Sequence, residues 1–287
     1  LQTAIRPRRS ALYLPASNAR AIAKARTLDC DVVILDLEDA VAPDAKADAR
    51  RLAVEAVGEG GFGGREVVVR VNGLDTPWGA DDLAAVRTVA PEAVLVPKVS
   101  TPADVEAYAG AIAGPAIWVM IETCAAILGL AALGRASAQN GVAAWVMGAN
   151  DLAKEMRCRP GADRSPLVPA LTLSVIAARA NGLAILDGVH NGLGDPQGLA
   201  LACAQGADLG FDGKTLIHPD QIAAANQAFS PDAEAIAWAR VVARAFDSPE
   251  NAGKGVLKVE GRMVERLHLV QALDLLAAAE IIAARGD

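Results

Sequence analysis

Short apolar runs rich in Val, Ile and Leu alternate along this chain with longer Ala-rich stretches whose apolar positions recur every three or four residues. The alternation continues to about His218. The apolar runs are of strand length and read as "ALYLP" (11–15), "VVILDLE" (32–38), "VVVRVN" (67–72), "AVLVPKV" (93–99), "IWVMIE" (117–122), "AWVMGAND" (144–151), "LAILDG" (183–188) and "LGFDGK" (209–214). They are continuous rather than alternating, as strands covered on both faces are. The stretches between them start like helices: in "TPADVEAY", Thr101 caps and Pro102 takes the first helical position. Eight such units predict a (β/α)8 TIM barrel over residues 1–228, ahead of an open doubly wound sheet. Residues 229–287 are more than a barrel needs. They predict a C-terminal extension of additional helices at 231–246 and 265–284, joined by the Gly-rich "NAGKGVLKVEGRM". Apolar spacing at Leu269, Leu273 and Leu276 predicts that this extension packs on a neighbouring subunit, in a homotrimer or hexamer.

Composition narrows the chemistry. Hydrophobic residues make up 53% of the chain and aromatic ones 3%, so the core must be built from Ala, Val, Leu and Ile. The formal net charge is −7, and the one basic run is "RPRR" at 6–9, which argues against a nucleic-acid partner. No apolar stretch reaches the length of a membrane span and no signal-peptide pattern opens the chain, so a soluble protein with no membrane partner is expected. Cys30, Cys124, Cys158 and Cys203 are widely spaced without a CxxC, which argues against a zinc site or a disulfide framework and suggests a reduced, cytoplasmic setting.

Charged and polar residues then fall in a pattern of their own. They stand at corresponding ends of successive strands: Asp36, Glu38 and Asp39 after the second, Arg70 and Asn72 on the third, Lys98 after the fourth, Glu122 after the fifth, Asn150 and Asp151 after the sixth, Asp187 on the seventh. Any one of them alone reads as a helix cap. As a set they should converge on the barrel mouth, where active sites of this fold are built. Glu122 and Asp151, at neighbouring strand ends, suit one hard cation such as Mg²⁺, with substrate and water completing the shell, and the scarcity of His and Cys candidates argues against zinc. A glycosidase carboxylate pair is the weaker reading, because its sugar platforms would draw on few aromatic residues. Arg70 offers a bidentate fork for a substrate carboxylate; its alternative is a buried pairing with Asp36 or Glu38. Asn150 stands beside the carboxylate pair as a substrate contact. His218, before Pro219, opens a helix and either meets an anion there or caps it. "NGLGDPQG" makes neither a P-loop nor a dinucleotide fingerprint.

Several of these blocks are similar to those of a known family. "RSALYLPASNARAIAKA", "DVVILDLEDAVAPDAKADAR", "VVVRVNGLDTPWGADDL", "VLVPKV", "VMIET", "VMGANDLAKE", "ILDGVHN" and "GFDGKTLIHPDQI" with "NQAFSP" resemble the citrate lyase β-subunit-like (HpcH/HpaI aldolase) family of CoA-ester lyases, from about Arg9 to the last helix. The resemblance implies a Mg²⁺-dependent barrel that cleaves or forms the C–C bond of β-hydroxyacyl thioesters of the malyl-CoA, methylmalyl-CoA or citramalyl-CoA type. It implies Glu122 and Asp151 as metal ligands, with Glu122 also beside the substrate, and Arg70 as the group on the substrate carboxylate. Tyr13, Lys24, Ile217 and His218 fall at positions associated with CoA. Asn18 stands where some malyl-CoA lyases have Arg, with Arg20 as a stand-in. In "GRMVERLH", Glu265 matches a family Asp that transfers a proton in a neighbouring subunit's site; its alternative is to cap the last helix. The "VERLH" ending also resembles a branch that hydrolyses malyl-CoA to malate. The expected function is therefore a Mg²⁺-dependent lyase using retro-Claisen chemistry on a CoA thioester, with a small α-keto acid as its other partner. The alternatives are a (3S)-malyl-CoA thioesterase and a citrate lyase β-type subunit acting within a complex.

Overall fold

The structure, a computed structural model, describes residues 6–284. The chain divides into a compact unit Arg8–Phe229 and a second unit from Ser230 onward. In the first, eight parallel strands close into a barrel: β1 (Ser10–Pro15), β2 (Val32–Asp36), β3 (Glu66–Arg70), β4 (Ala93–Val96), β5 (Ala116–Ile121), β6 (Val142–Met147), β7 (Ala184–Asp187) and β8 (Gly213–Leu216), with β8 pairing back onto β1. The expected (β/α)8 barrel is the fold found. Its helices are α1 (Ala19–Ala25), α2 (Lys46–Glu59), α3 (Gly79–Val86), α4 (Pro102–Ala111), α5 (Cys124–Gln139), α6 (Ala149–Met156), α7 (Val168–Ala180), α8 (Pro196–Leu209) and α9 (Ile222–Ala228). Thr101 caps α4 as its sequence suggests, accepting from Asp104 N–H, with Pro102 at the first position.

The strands are apolar throughout because both of their faces are buried. One set of side chains, including Ala11, Val32, Ile34, Val68, Leu95, Trp118, Met120 and Leu186, fills the barrel interior. The other set, including Leu12, Val33, Leu35, Val69, Val94 and Ile185, packs beneath the helices. The strands' N-terminal end is plugged by polar pairs. Arg8 bonds Glu66 through Nε (2.7 Å) and Nη2 (3.0 Å) and lies 4.9 Å from the Trp118 ring centre, while Arg9 is paired with buried Asp31 at 2.8 Å. Only the opposite end remains for chemistry.

Most strand boundaries shift by one to three residues from the sequence reading, and the largest differences are at β6 and β8. β6 stops at Met147, and Asn150 and Asp151 lie in the first turn of α6 rather than on the strand, since the Leu152 N–H already closes a helical bond to Gly148 O. Leu209 belongs to α8, which ends on Gly210 at φ 93°, so β8 starts only at Gly213. Such a left-handed residue suits glycine and breaks the helix there.

Asp187 is a correction of a different kind. Strand residues alternate in direction, and with Leu186 inside the barrel, Asp187 turns outward toward α8. There Arg164 Nη1 donates to both of its oxygens at 2.8 Å and Lys214 Nζ lies 2.8 Å away, with Asp187 and Lys214 both wholly buried. This cluster ties β7 and β8 to the helical layer. It is not part of the mouth.

The second unit holds α10 (Ala233–Asp247), a hairpin of β9 (Val256–Val259) and β10 (Arg262–Glu265), and α11 (Arg266–Ala283). Ala239, Val242, Leu257, Val264 and Ala272 form its core. The hairpin is formed within the Gly-rich connection between the two helices, where the sequence reading assigned no strands. It turns on Glu260 and Gly261, both at positive φ (46° and 82°), the arrangement that favours a tight two-residue loop. On α11, Leu276 packs on this core whereas Leu267, Val270 and Leu273 are about half exposed.

Candidate active site

At the C-terminal end of the barrel strands opens a cavity of about 270 Å³, lined by Tyr13, Arg70, Glu122, Gly148 and Asp151 among others. Glu122 follows the last residue of β5 and continues the inward set of Trp118 and Met120, so its carboxylate reaches the cavity from below. Oε1 accepts the Lys98 N–H at 2.7 Å, from a backbone held at φ 54°, in the left-handed region disfavoured for lysine. Oε2 is buried with no hydrogen-bond partner. Burial first, then the neighbouring Glu38 and Asp151 charges, push the Glu122 carboxyl up to about 8, against the pull of the Lys98 N–H and Arg70.

The space beside this carboxylate exists because residue 148 is glycine. A Cβ there would lie 2.2 Å from Glu122 Oε2 and 2.4 Å from Glu122 Cβ, closer than any real contact. The backbone dihedrals of Gly148 are unexceptional (φ −92°), so the requirement is for room and not for a special conformation. Asp151, three residues on in the first turn of α6, joins the same cavity.

Arg70 is nearly enclosed. It donates through Nε and Nη2 to the two Asp36 oxygens at 2.6 Å each, and its guanidinium lies 4.8 Å from the Tyr13 ring centre. Nη1 stands 2.8 Å from Glu38 Oε2, an ion pair lacking the alignment of a hydrogen bond, and 3.6 Å from Asp39. Burial opposes the charge on Arg70, but Asp36, Tyr13 and Glu38 together outweigh it and hold the guanidinium well above its ordinary value. The buried pairing and the mouth position, which read as alternatives in the sequence, are thus both present. Glu38 is pushed up to about 7 by burial, with Arg70 opposing and Asp39 adding. Lys46, which nothing in the sequence singled out, donates to the Leu37 and Glu38 carbonyls and to Asn72 Oδ1, fixing the turn after β2. Asn72 also donates to Asp82 Oδ2, so it supports that turn and does not line the cavity.

These residues fit a divalent cation. A partnerless buried carboxylate oxygen, two carboxyls that burial and neighbouring carboxylates hold partly protonated, and a glycine cradle make a site that positive charge would relieve. Among the described residues no group of three or more His, Cys, Asp or Glu side chains is placed to hold an ion unaided. That suits Mg²⁺, which keeps waters and substrate oxygens in its shell, better than it suits zinc.

The remaining expected site residues divide. Asn150 and Ile217 line the cavity with Tyr13, and the Asn150 amide exchanges two hydrogen bonds with Asn191 (2.7 and 3.2 Å), a rim partner the sequence reading missed. Lys24 is exposed on α1 and stands apart from the cavity wall. His218 does not line it either; its Nδ1 accepts the Asp220 N–H at 3.3 Å and caps the short 3-10 turn Pro219–Gln221. Asn18 caps α1 through the Ala21 N–H. Glu265 is the N-cap of α11, in a reciprocal capping box with His268, whose Nδ1 accepts the Glu265 N–H at 2.9 Å. Met120, Met147 and Thr215 complete the wall unannounced, because apolar and small polar residues carry no signal of chemistry in a sequence.

Residues 9–219 match the family model described as HpcH/HpaI aldolase/citrate lyase. The chain belongs to this family. Within it, the chain is 47% identical to a (3S)-malyl-CoA thioesterase of Cereibacter sphaeroides, over 97% of this chain and 96% of the relative. It is 32% identical to an L-malyl-CoA/beta-methylmalyl-CoA lyase of the same species, over 97% and 96%. Among solved structures, it resembles CitE from Mycobacterium tuberculosis in complex with magnesium, acetoacetate and coenzyme A, at 30% identity and a TM-score of 0.77, over 96% of this chain and 98% of that one. Members of the HpcH/HpaI aldolase/citrate lyase family therefore supply both the lyase and the thioesterase precedent for this barrel, and the chain is an enzyme of that group.

Proposed function

We propose that this chain is a Mg²⁺-dependent enzyme acting on the CoA thioester of a β-hydroxy dicarboxylic acid of the malyl type. The observation that carries the reading is the partnerless, buried Glu122 Oε2 in its glycine cradle, one cavity with Asp151 and Arg70. Glu122 and Asp151 are the residues that would hold Mg²⁺, and the ion, when bound, supplies Lewis-acid stabilisation of negative charge on substrate oxygen. Arg70, clamped by Asp36 and so unable to swing, presents Nη1 toward the substrate carboxylate once Glu38 yields. Glu38, pushed up to about 7 and beside Arg70 Nη1, is the group we assign to take the substrate's hydroxyl proton at neutral pH. These roles suit C–C cleavage, in which the hydroxyl is deprotonated as the bond between its carbon and the thioester's α-carbon breaks, leaving an α-keto acid and a thioester enolate that then takes up a proton.

A second outcome, hydrolysis to malate and free CoA, is favoured by one observation: 47% identity to a thioesterase against 32% to a lyase. Incubation with malyl-CoA and Mg²⁺ separates the two. Glyoxylate with acetyl-CoA identifies the lyase, malate with CoA the thioesterase, and the absence of both pairs would refute the malyl assignment. A citrate lyase β-type role in a complex predicts no turnover of free CoA esters. Glu265 is proposed as the proton-transferring group delivered by a neighbouring subunit, with the half-exposed Leu267, Val270 and Leu273 of α11 as the apolar contact of a homotrimer or hexamer. A monomer by light scattering at micromolar concentration would refute that assembly. No helix among the described residues is long and apolar enough to cross a membrane, and we place the protein in the cytoplasm; membrane-bound activity on fractionation would refute this.

A further inference from the structure

Among the described residues, the buried side-chain atoms without a hydrogen-bond partner are Tyr13 Oη, Glu38 Oε2, Trp118 Nε1, Glu122 Oε2 and His190 Nε2. Trp118 lies at the closed end under Arg8, and His190 nests against Gly192 and Gly198. Glu38 and Glu122 belong to the carboxylate cluster already described. Tyr13 is left over. It sits on β1 with its side chain turned into the barrel, it lines the cavity, and its ring packs on the Arg70 guanidinium at 4.8 Å. Ring packing alone would be served by phenylalanine. A buried hydroxyl with no partner is destabilising, so its presence needs a reason outside the folding of the chain.

We propose that the Tyr13 hydroxyl donates a hydrogen bond to the carboxylate-bearing acyl half of the bound substrate, beside Arg70, and is a positioning residue for that half rather than a contact to CoA. The inference rests on the malyl-type reading above. Three features support it. The cavity's wall is crowded with acceptors, Asp36, Asp39 and Glu122, and Arg70 already gives two nitrogens to Asp36, so an entering carboxylate lacks donors. A phenol supplies one without adding charge. Burial first, and the surrounding carboxylates after it, push the Tyr13 ionisation up, with Arg70 opposing, so the group stays a donor at any working pH. Finally, Tyr13 shares the cavity wall with Arg70, the group assigned to the substrate carboxylate, and packs on its guanidinium, so its hydroxyl is on the side of the acid half.

Tyr13→Phe tests this, with Tyr13→Leu as a second variant that also lacks the hydroxyl. Glyoxylate and CoA are titrated separately into the Mg²⁺-loaded protein, the melting temperature is read without ligand, and KM for malyl-CoA is measured. Both variants are expected to lose glyoxylate affinity, and Y13F to raise KM for malyl-CoA, by roughly ten- to a hundredfold, the effect of one hydrogen bond to a charged acceptor. CoA affinity should hold, and the Y13F melting temperature should hold or rise because an unpaired buried hydroxyl is gone. A purely structural tyrosine would give the reverse, a lower melting temperature with glyoxylate affinity intact, and that result overturns the proposal. So does a loss confined to CoA. If the wild type turns over malyl-CoA while Y13F matches it in KM and glyoxylate affinity, the Tyr13 assignment alone fails. A wild type that neither binds glyoxylate nor consumes malyl-CoA sinks the malyl reading and this inference together.

Discussion

Loading the site with a cation should release a proton, and the release can be counted. The Glu122 carboxyl is pushed up to about 8 by burial and by Glu38, from an ordinary value of 4.5. At pH 7 a group with that value is protonated in roughly nine molecules of ten, yet only its ionised form can ligate. Binding of Mg²⁺ should therefore displace about 0.9 proton at pH 7, and the apparent affinity should rise about ninefold from pH 6 to 7 and only about twofold from pH 8 to 9. Calorimetric titration with MgCl₂ in buffers of different ionisation enthalpy reads the proton count directly. Glu122→Gln should abolish both the release and the binding. Stability moves with the same sign: a carboxyl raised in the folded state binds more protons than in the unfolded chain between about 4.5 and 8, so the cation-free protein loses stability as pH climbs through that window. Glu38, raised to about 7, adds in the same direction. The melting temperature without cation should fall from pH 6 to 8, and Mg²⁺ should recover part of the loss. Proton release near zero at pH 7, or an affinity flat from pH 6 to 8, would refute the placement of Glu122 at the cation.

Two further outcomes follow from the packing. Gly148→Ala puts a Cβ 2.2 Å from Glu122 Oε2, so the carboxylate must turn away; the variant should lose about 1–3 kcal/mol of stability and at least tenfold in Mg²⁺ affinity, and wild-type affinity by titration would exclude the cradle. Asp187→Ala strands Lys214 and Arg164 at a buried position, which should cost about 3–5 kcal/mol in urea unfolding, whereas a loss below about 1 kcal/mol would show that water or another group compensates.

The sequence by itself determined the barrel, because eight runs of strand length separated by stretches of helical length leave few other ways to bury so much Val, Leu and Ile. It also pointed to Glu122, since a carboxylate directly after six apolar residues has to be held for a purpose or pay for its burial. What it left undecided was direction. In a strand buried on both faces the inward and outward positions are equally apolar, so nothing in "LAILDG" tells whether Asp187 enters the mouth or turns to the helices; the register with Leu186 and Lys214 decides that. The same holds for Arg70, whose clamp by Asp36 depends on β2 and β3 pairing residue for residue at their ends. Gly148 as a cradle, and the lone hydroxyl of Tyr13, a residue that the family resemblance placed only among the CoA contacts, were invisible for a related reason. A glycine that makes room and a hydroxyl that lacks a partner are defined by what surrounds them, and those surroundings come from strands far apart in the chain.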